Sequence, residues 1–322
     1  MHAILLQSGS PTFRDDLPPP VPAENEVLVK VTRAGICETD LQLAQGYMGF
    51  DGILGHEFVG VAQSGPFAGQ RVVGEINCNC RSCPRCKAGL GNHCDRRTVI
   101  GIDRHDGAFA EIVAVPQANL HEVPQHVSDD QAVFVEPLAA AFQILDQVSV
   151  KQSDRVLILG DGRLALMSGQ ALKLTGATLT VIGKHQHKLS RFDEVDAQTV
   201  LLEKEMTLSE NLPEASFDVV VDCTGSPSGL PMAIRFVRPR GCIVMKTTVA
   251  ADHQLSLAPI VINEINLVGS RCGPFAKAIQ ALSDKQVNLN GLITHRFPLE
   301  SAAEAMRCAA NADAFKVVFD IL

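Results

Sequence analysis

Four cysteines, Cys80, Cys83, Cys86 and Cys94, stand in the order C-x2-C-x2-C-x7-C. The short gaps let one turn of backbone present successive sulfurs to a single centre, and four thiolates close a tetrahedral zinc site. Such a site keeps no position open for a substrate, so it is expected to hold together a lobe too short for its own core. An iron–sulfur cluster is the rival, because Cys80, Cys83, Cys86 and Pro84 superficially match a ferredoxin run. The late fourth cysteine and the lack of a second cysteine set favour zinc. Cys78 reads as a spare thiol.

A second set is assembled from three separated pieces: Cys37-Glu38-Thr39-Asp40, Gly55-His56-Glu57 and Val135-Glu136-Pro137. An open zinc site takes three protein ligands of mixed type and leaves the fourth position to water or substrate. Cys37, His56 and a carboxylate from Glu57 or Glu136 supply that set. Each also has an inert reading: a small buried residue for Cys37, a hydrogen-bonded loop histidine for His56, a dipole-favoured helix-start carboxylate for Glu136.

Gly160-Asp161-Gly162-Arg163-Leu164-Ala165 follows the apolar run VLIL and precedes a helical stretch. That context makes G-x-G-x-x-G/A a dinucleotide fingerprint. Gly160 makes the turn, Gly162 lets the backbone approach a pyrophosphate, and Ala165 permits close helix packing. The N–H groups of Arg163 and Leu164 sit at the positive helix end. An acidic residue about 20 positions on would hold the ribose hydroxyl of NAD. Counting 21 from Gly162 reaches Gly183 instead, with Lys184, His185 and Lys188 close behind. A carboxylate repels a 2′-phosphate, whereas a glycine followed by cations accepts one, so NADP(H) is expected over NAD(H).

Positioning these groups falls to two kinds of element. Short β-rich runs such as EVLVKVTRAGI and AEIVAVP, broken by glycine and proline, read as a loop-rich β domain. From the N-cap-like Ser128 the apolar spacing turns helical, and Pro137 is expected to open a second helix. DRVLILG, ATLTVIG, FDVVVDCTG and GCIVMKTT then alternate with helical segments, the pattern of a doubly wound parallel sheet. The segment after Gly273 loses that pattern and is expected to return to the first domain. The boundaries are therefore 1–130 with 273–322 for the β-rich domain and 131–272 for the α/β one.

A chain of 322 residues suits two domains. With 28 Lys+Arg against 36 Asp+Glu and a net charge of −8, it offers no basic footprint for nucleic acid or an anionic membrane. No apolar stretch reaches the roughly 18 residues of a membrane span and no basic leader opens the chain, so a cytoplasmic protein is expected. Tyr47 is the sole tyrosine and Asp51 stands four residues on. The Tyr-x-x-x-Lys pair of short-chain dehydrogenases is excluded.

Taken together and in order, CETD, GHEFVG, the cysteine lobe with GLGNHC, DGAFAE, VEPLA, VLILGDG, DCTGS and GSRCGP resemble the zinc-dependent medium-chain alcohol dehydrogenases over nearly the whole chain. The resemblance implies a β-rich, GroES-like catalytic domain with a structural zinc lobe, a Rossmann domain, and commonly a homodimer or homotetramer. It also implies Cys37 and His56 as ligands of a catalytic zinc and Asp40 as the carboxylate orienting His56. Thr39 matches the hydroxyl that passes on the alcohol proton. VEPLA, with Glu136, resembles the polyol and threonine dehydrogenase branch, in which Glu57 can also enter the zinc shell. Thr224 and Arg271 fall where the family contacts nicotinamide ribose and pyrophosphate. The family's relay histidine would fall near Gln42, which cannot carry a proton at neutral pH; His105 and Glu38 are the alternatives to water. A trimmed substrate loop is expected between Gln45 and Gly52. The implied reaction is reversible oxidation of a secondary alcohol, polyol or amino alcohol to a ketone or aldehyde, with hydride transfer to NAD(P)+. The alternative is a non-catalytic NADPH-binding or redox-sensing protein that keeps the fold.

Overall fold

The computed structural model describes every residue except 203–211, 249–254, 312 and 322. The chain divides into two units, Met1–Glu136 with Phe275–Lys285 and Leu289–Leu322, and Pro137–Pro274 with Gln286–Asn288.

Alternation builds the first unit. Along Glu26–Gly35, Val27, Val29 and Val31 are buried while Lys30 is exposed, the period-two pattern of a half-buried strand. This strand sits in a seven-stranded sheet whose spatial order is Leu120–Glu122, Arg71–Gly74, Glu57–Ala62, Glu26–Gly35, Lys316–Asp320 and Ile293–Phe297. Ile112–Pro116 also pairs with Glu26–Gly35. Lys316–Asp320 enters antiparallel to Glu26–Gly35, with Val318 opposite Gly35, and parallel to Ile293–Phe297. Two strands from the far end of the chain thus complete a sheet begun near its start.

The second unit holds six parallel strands in the order Gln198–Leu201, Thr178–Gly183, Arg155–Leu159, Phe217–Asp222, Val237–Met245 and Asn266–Gly269. This is the doubly wound order, and dinucleotides bind at its switch point, beside the first strand. Val156 to Leu159 are all fully buried, as a strand covered on both faces requires. Leu157, Leu159, Phe217, Val220, Phe236 and Ile243 belong to one core cluster.

Ser128 caps the short helix Asp129–Ala132, accepting from the Gln131 N–H at 3.3 Å while Gln131 Oε1 accepts from the Ser128 N–H at 3.0 Å. The next helix runs Val135–Gln147 and so opens ahead of Pro137. Pro137 still lies in the first turn, where a missing N–H forfeits no helical bond. Among the described residues no helix is long and apolar enough to cross a membrane.

Backbone hydrogen bonds pin the loop before Glu57–Ala62: Ala108 N–H donates to Gly55 at 2.8 Å and Phe109 N–H to Leu54 at 2.8 Å. Gly107 permits this approach, since a Cβ there would lie 2.4 Å from both the Gly55 and Leu54 carbonyl oxygens. Gly107→Ala is expected to destabilise the protein by about 1–3 kcal/mol, read as a lower denaturant midpoint at unchanged slope.

Candidate active site

The middle of the seven-stranded sheet delivers the first set of groups. Cys37 follows Glu26–Gly35 and caps the helix Glu38–Leu43. Glu57 opens its strand directly opposite Gly35, and His56 immediately precedes it. Ligand atoms of Cys37, His56 and Glu57 all lie within 4.8 Å of one another. Asp40, fully buried, accepts the Cys37 N–H through Oδ2 at 2.8 Å and presents Oδ1 to His56 Nδ1 at 3.3 Å. One carboxylate therefore fixes the backbone of one donor and the ring of another, and a ring whose Nδ1 faces a carboxylate offers Nε2 to a metal.

Lys316 completes this buried set. Its Nζ pairs with Glu57 Oε2 and donates to the Ile36 carbonyl at 3.3 Å. Gly35 makes room: a Cβ there would come 2.6 Å from Lys316 Cε and 2.9 Å from Glu57 Oε2. Burial pushes Lys316 down to about 8, against the charges of Cys37 and Asp40, which favour the ammonium. Burial also works against the Cys37 thiolate, yet the hydrogen bond and charge of His56 outweigh it and the thiol is held below its ordinary value. His56 is desolvated too, but the charge and hydrogen bond of Asp40 raise it well above the ordinary imidazole. The thiolate, the form that binds metal, is favoured. Thiolate, imidazole and carboxylate in one buried group fit an open zinc site.

The four-cysteine lobe has a different geometry. Its Sγ atoms lie 3.4 Å apart for Cys80 and Cys94, 3.8 Å for Cys83 and Cys94, and 4.0 Å for Cys80 and Cys86. Four bonds of about 2.3 Å to one tetrahedral ion imply sulfurs about 3.8 Å apart, so the spacing fits a single ion rather than a cluster that interposes several metals. Backbone N–H groups turn inward: Cys83 donates to Cys80 Sγ at 3.4 Å and Arg96 to Cys94 Sγ at 3.3 Å. The backbone and hydroxyl of Ser82 hold Cys80 down to about 5. Cys78 stands apart from this group, and burial pushes it up to about 12.

In the second unit, Gly160 adopts φ +113°, and a Cβ there would sit 2.7 Å from the Cys223 carbonyl oxygen. Gly162 opens the helix Arg163–Lys173 with no side-chain cap, and nothing lies within 4 Å of where its Cβ would be. Arg163 and Leu164 begin that helix and Ala165 is fully buried beneath it. An uncapped helix start behind an open glycine is a cradle suited to a pyrophosphate. Thr224 donates to Asp222 Oδ1 from N at 2.9 Å and from Oγ1 at 2.7 Å. The Arg271 carbonyl accepts from Lys246 Nζ at 3.0 Å.

Gly183 ends its strand, Lys184 and His185 follow, and Lys188 lies in the helix Gln186–Leu189. The space beside Gly183 is filled by Asp161, whose Cβ would be 2.6 Å from a Cβ on Gly183. Counting along the sequence from the glycine turn missed this carboxylate, because it comes from inside the turn itself.

Other expected residues fall elsewhere. Glu136, in the first turn of Val135–Gln147, is outside the group formed by Cys37, His56 and Glu57, and has an interaction of its own. Thr39 Oγ1 lies 3.9 Å from Cys37 Sγ. The His105 ring contacts Thr98 Oγ1 at 3.3 Å and the Ala114 carbonyl at 2.9 Å. Glu38 is exposed, and Tyr47–Gly49 forms a short 3-10 turn. Sequence reasoning also missed Lys316; its one signal is a lone cation opening the apolar strand KVVFD.

The alcohol dehydrogenase GroES-like domain family matches residues 23–125, and the zinc-binding dehydrogenase family matches 164–285. A sorbitol dehydrogenase of Halalkalibacterium halodurans is 29% identical over 98% of this chain and 97% of its own. An L-threonine 3-dehydrogenase of Saccharopolyspora erythraea is 29% identical over 99% of both. A zinc-binding dehydrogenase of Sinorhizobium meliloti, solved with NADP, superposes with a TM-score of 0.90 at 29% identity, covering 99% of this chain and 98% of that one. An Escherichia coli alcohol dehydrogenase solved with NADH does so with a TM-score of 0.90 at 26% identity, covering 100% and 99%. Sequence matches in both units and a fold shared along the full length lead to one conclusion: the chain belongs to the zinc-dependent medium-chain alcohol dehydrogenase family.

Proposed function

We propose that the protein reversibly oxidises a secondary alcohol, polyol or amino alcohol to the ketone or aldehyde with NAD(P)+. The observation that carries this reading is the convergence of Cys37, His56 and Glu57 within 4.8 Å on one buried carboxylate, Asp40. Sorbitol and L-threonine, named in the relatives, both present a secondary hydroxyl beside a second polar group.

Zinc held by Cys37, His56 and Glu57 would supply Lewis-acid polarisation of the alcohol oxygen. Glu136 is the carboxylate we assign to exchange with Glu57. Asp40 keeps the Cys37 backbone and the His56 ring aligned, and Lys316 balances the charge of Glu57. Thr39, beside Cys37, is the hydroxyl we assign to pass on the alcohol proton, and because Gln42 cannot relay it, release runs through water. The glycine turn, through Gly162 and the N–H groups of Arg163 and Leu164, holds the dinucleotide, whose nicotinamide is the hydride acceptor. Thr224 and Arg271 are assigned to the nicotinamide ribose and pyrophosphate. The assembled donor set disfavours a purely sensing role. The expected preference for NADP(H) rests on Gly183, Lys184, His185 and Lys188, and the Asp161 carboxylate packed beside Gly183 weighs against it.

Two further parts of the reading are a cytoplasmic location and a homo-oligomer, dimer or tetramer. For the second, Asn266–Gly269 is the edge of the parallel sheet, with Leu267 47% exposed, and the stretch leading into it exposes Val261 at 74% and Ile262 at 77%. An edge that no strand pairs among the described residues, beside apolar side chains, is a pairing surface. Leu267→Lys with Val261→Lys is expected to shift the mass seen by light scattering toward the monomer.

The test of the activity is a reduction screen with NAD+ and NADP+ over polyols, sugars, amino alcohols and simple secondary alcohols, with zinc quantified on the same sample. Two zinc ions per chain are expected. Cys37→Ser should abolish turnover, leave dinucleotide binding intact and lower the zinc count by one; full activity with only lobe zinc would refute the assignment. Cys86→Ser should lower the count too, but act chiefly by reducing stability or solubility. Asp40→Asn is expected to reduce kcat/KM or zinc affinity by about 10–100-fold.

A further inference from the structure

Asp161 occupies the second position of the glycine turn, yet its side chain leaves the turn and runs to the end of the neighbouring strand Thr178–Gly183. Its carboxylate is largely buried, at 11% exposure. Oδ2 accepts the Lys184 N–H at 2.6 Å, the His185 N–H at 2.7 Å and a bond from His185 Nδ1 at 3.0 Å. All three bonds fall on Oδ2, and Oδ1 takes none among the described residues. Gly183 exists to admit this side chain, because any Cβ there would overlap Asp161.

In a doubly wound sheet the end of the second strand is where an acidic residue meets the adenosine ribose. Here the strand contributes no acid, and the turn supplies one to the same place. We propose that Asp161 is the acceptor for the adenosine ribose 2′-hydroxyl, through Oδ1, and that it selects NAD(H) against NADP(H). This deepens the dehydrogenase reading and rests on it. A 2′-phosphate would meet a buried carboxylate of like charge. It would also find the N–H groups of Lys184 and His185, the donors best placed for an anion on this loop, already given to Oδ2. The remaining positive charges are Lys184 and Lys188, with His185 and His187 when protonated. His185 is committed to Asp161, which leaves a 2′-phosphate the lysine side chains without those N–H groups. Relatives solved with NADP and with NADH both exist, so family membership alone leaves this choice to local residues.

The test is equilibrium binding of NADH and NADPH to the purified holoenzyme by calorimetry, repeated with ADP-ribose and 2′-phospho-ADP-ribose to isolate the adenosine half. Wild type is expected to bind NADH at least about tenfold more tightly than NADPH, the scale of one hydrogen bond to a charged acceptor. Asp161→Asn removes the charge at constant shape, and Asp161→Ser also frees the two N–H groups. Both should weaken NADH, and Asp161→Ser should bind NADPH the more tightly of the two dinucleotides. Equal or tighter NADPH binding by wild type overturns the assignment even if neither variant folds. So does an unchanged NADH-to-NADPH ratio in both variants, which would leave Asp161 a purely structural link between turn and strand. Failure of wild type to bind either dinucleotide would overturn the dehydrogenase reading itself, and this assignment with it.

Discussion

The first unit depends on a balance of charge in a place that water does not reach. Asp40, His56, Glu57 and Lys316 are each no more than 3% exposed, and Cys37 stands among them as a favoured thiolate. With His56 neutral, as a metal ligand must be, three anions against one ammonium leave two uncompensated negative charges, a state that an apolar interior does not tolerate. One divalent cation would offset them. The site is thus specified as much by its electrostatics as by ligand geometry: Lys316 tempers the carboxylate beside it, and Asp40 decides which face of His56 is offered. Removing any one of these charges leaves a buried partner without compensation.

The sheet exists in the form it does because that balance needs residues from three distant segments. Gly35 is the junction. It ends the strand that leads to Cys37, faces Glu57 across one ladder and Val318 across the other, and lacks the side chain that would separate Lys316 from Glu57. The second unit solves its own problem with less: a glycine turn, an uncapped helix start and one aspartate that ties the turn to the neighbouring strand. In both units a glycine admits a charged side chain to an interior position that a Cβ would close.

What could be read in the sequence were the features whose partners lie close along the chain. The Cys80 to Cys94 spacing and the Gly160 to Ala165 turn carry their geometry within a few residues, and the buried run at Val156 announces its own strand. Cys37 and His56 needed a family resemblance, because only the sheet brings them together. Lys316 was invisible for the same reason in stronger form: a lysine opening an apolar strand reads as a solvated end until the strand is seen to lie between two others. The Asp161 carboxylate was passed over for a subtler reason. Counting residues looks for an acid on the second strand, whereas a side chain from the turn only needs to reach that strand's end. The helix boundary at Val135 instead of Pro137 reflects the tolerance of a first turn for proline.

The position of Lys316–Asp320 inside the first sheet bears on how the chain is made. During translation the second unit has its six strands in hand once Gly269 has left the ribosome, while Glu26–Gly35 still lacks one of its neighbours. The first sheet must therefore keep a slot open through the synthesis of an entire intervening domain, a topology with long-range closure and correspondingly slow folding. Because the late strand also brings the ammonium that tempers Glu57, the nascent protein carries its cysteine and histidine well before the charge that balances them. A metal centre built on these residues would mature only with the last step of folding, and an incomplete chain would lack the ammonium needed for a neutral one.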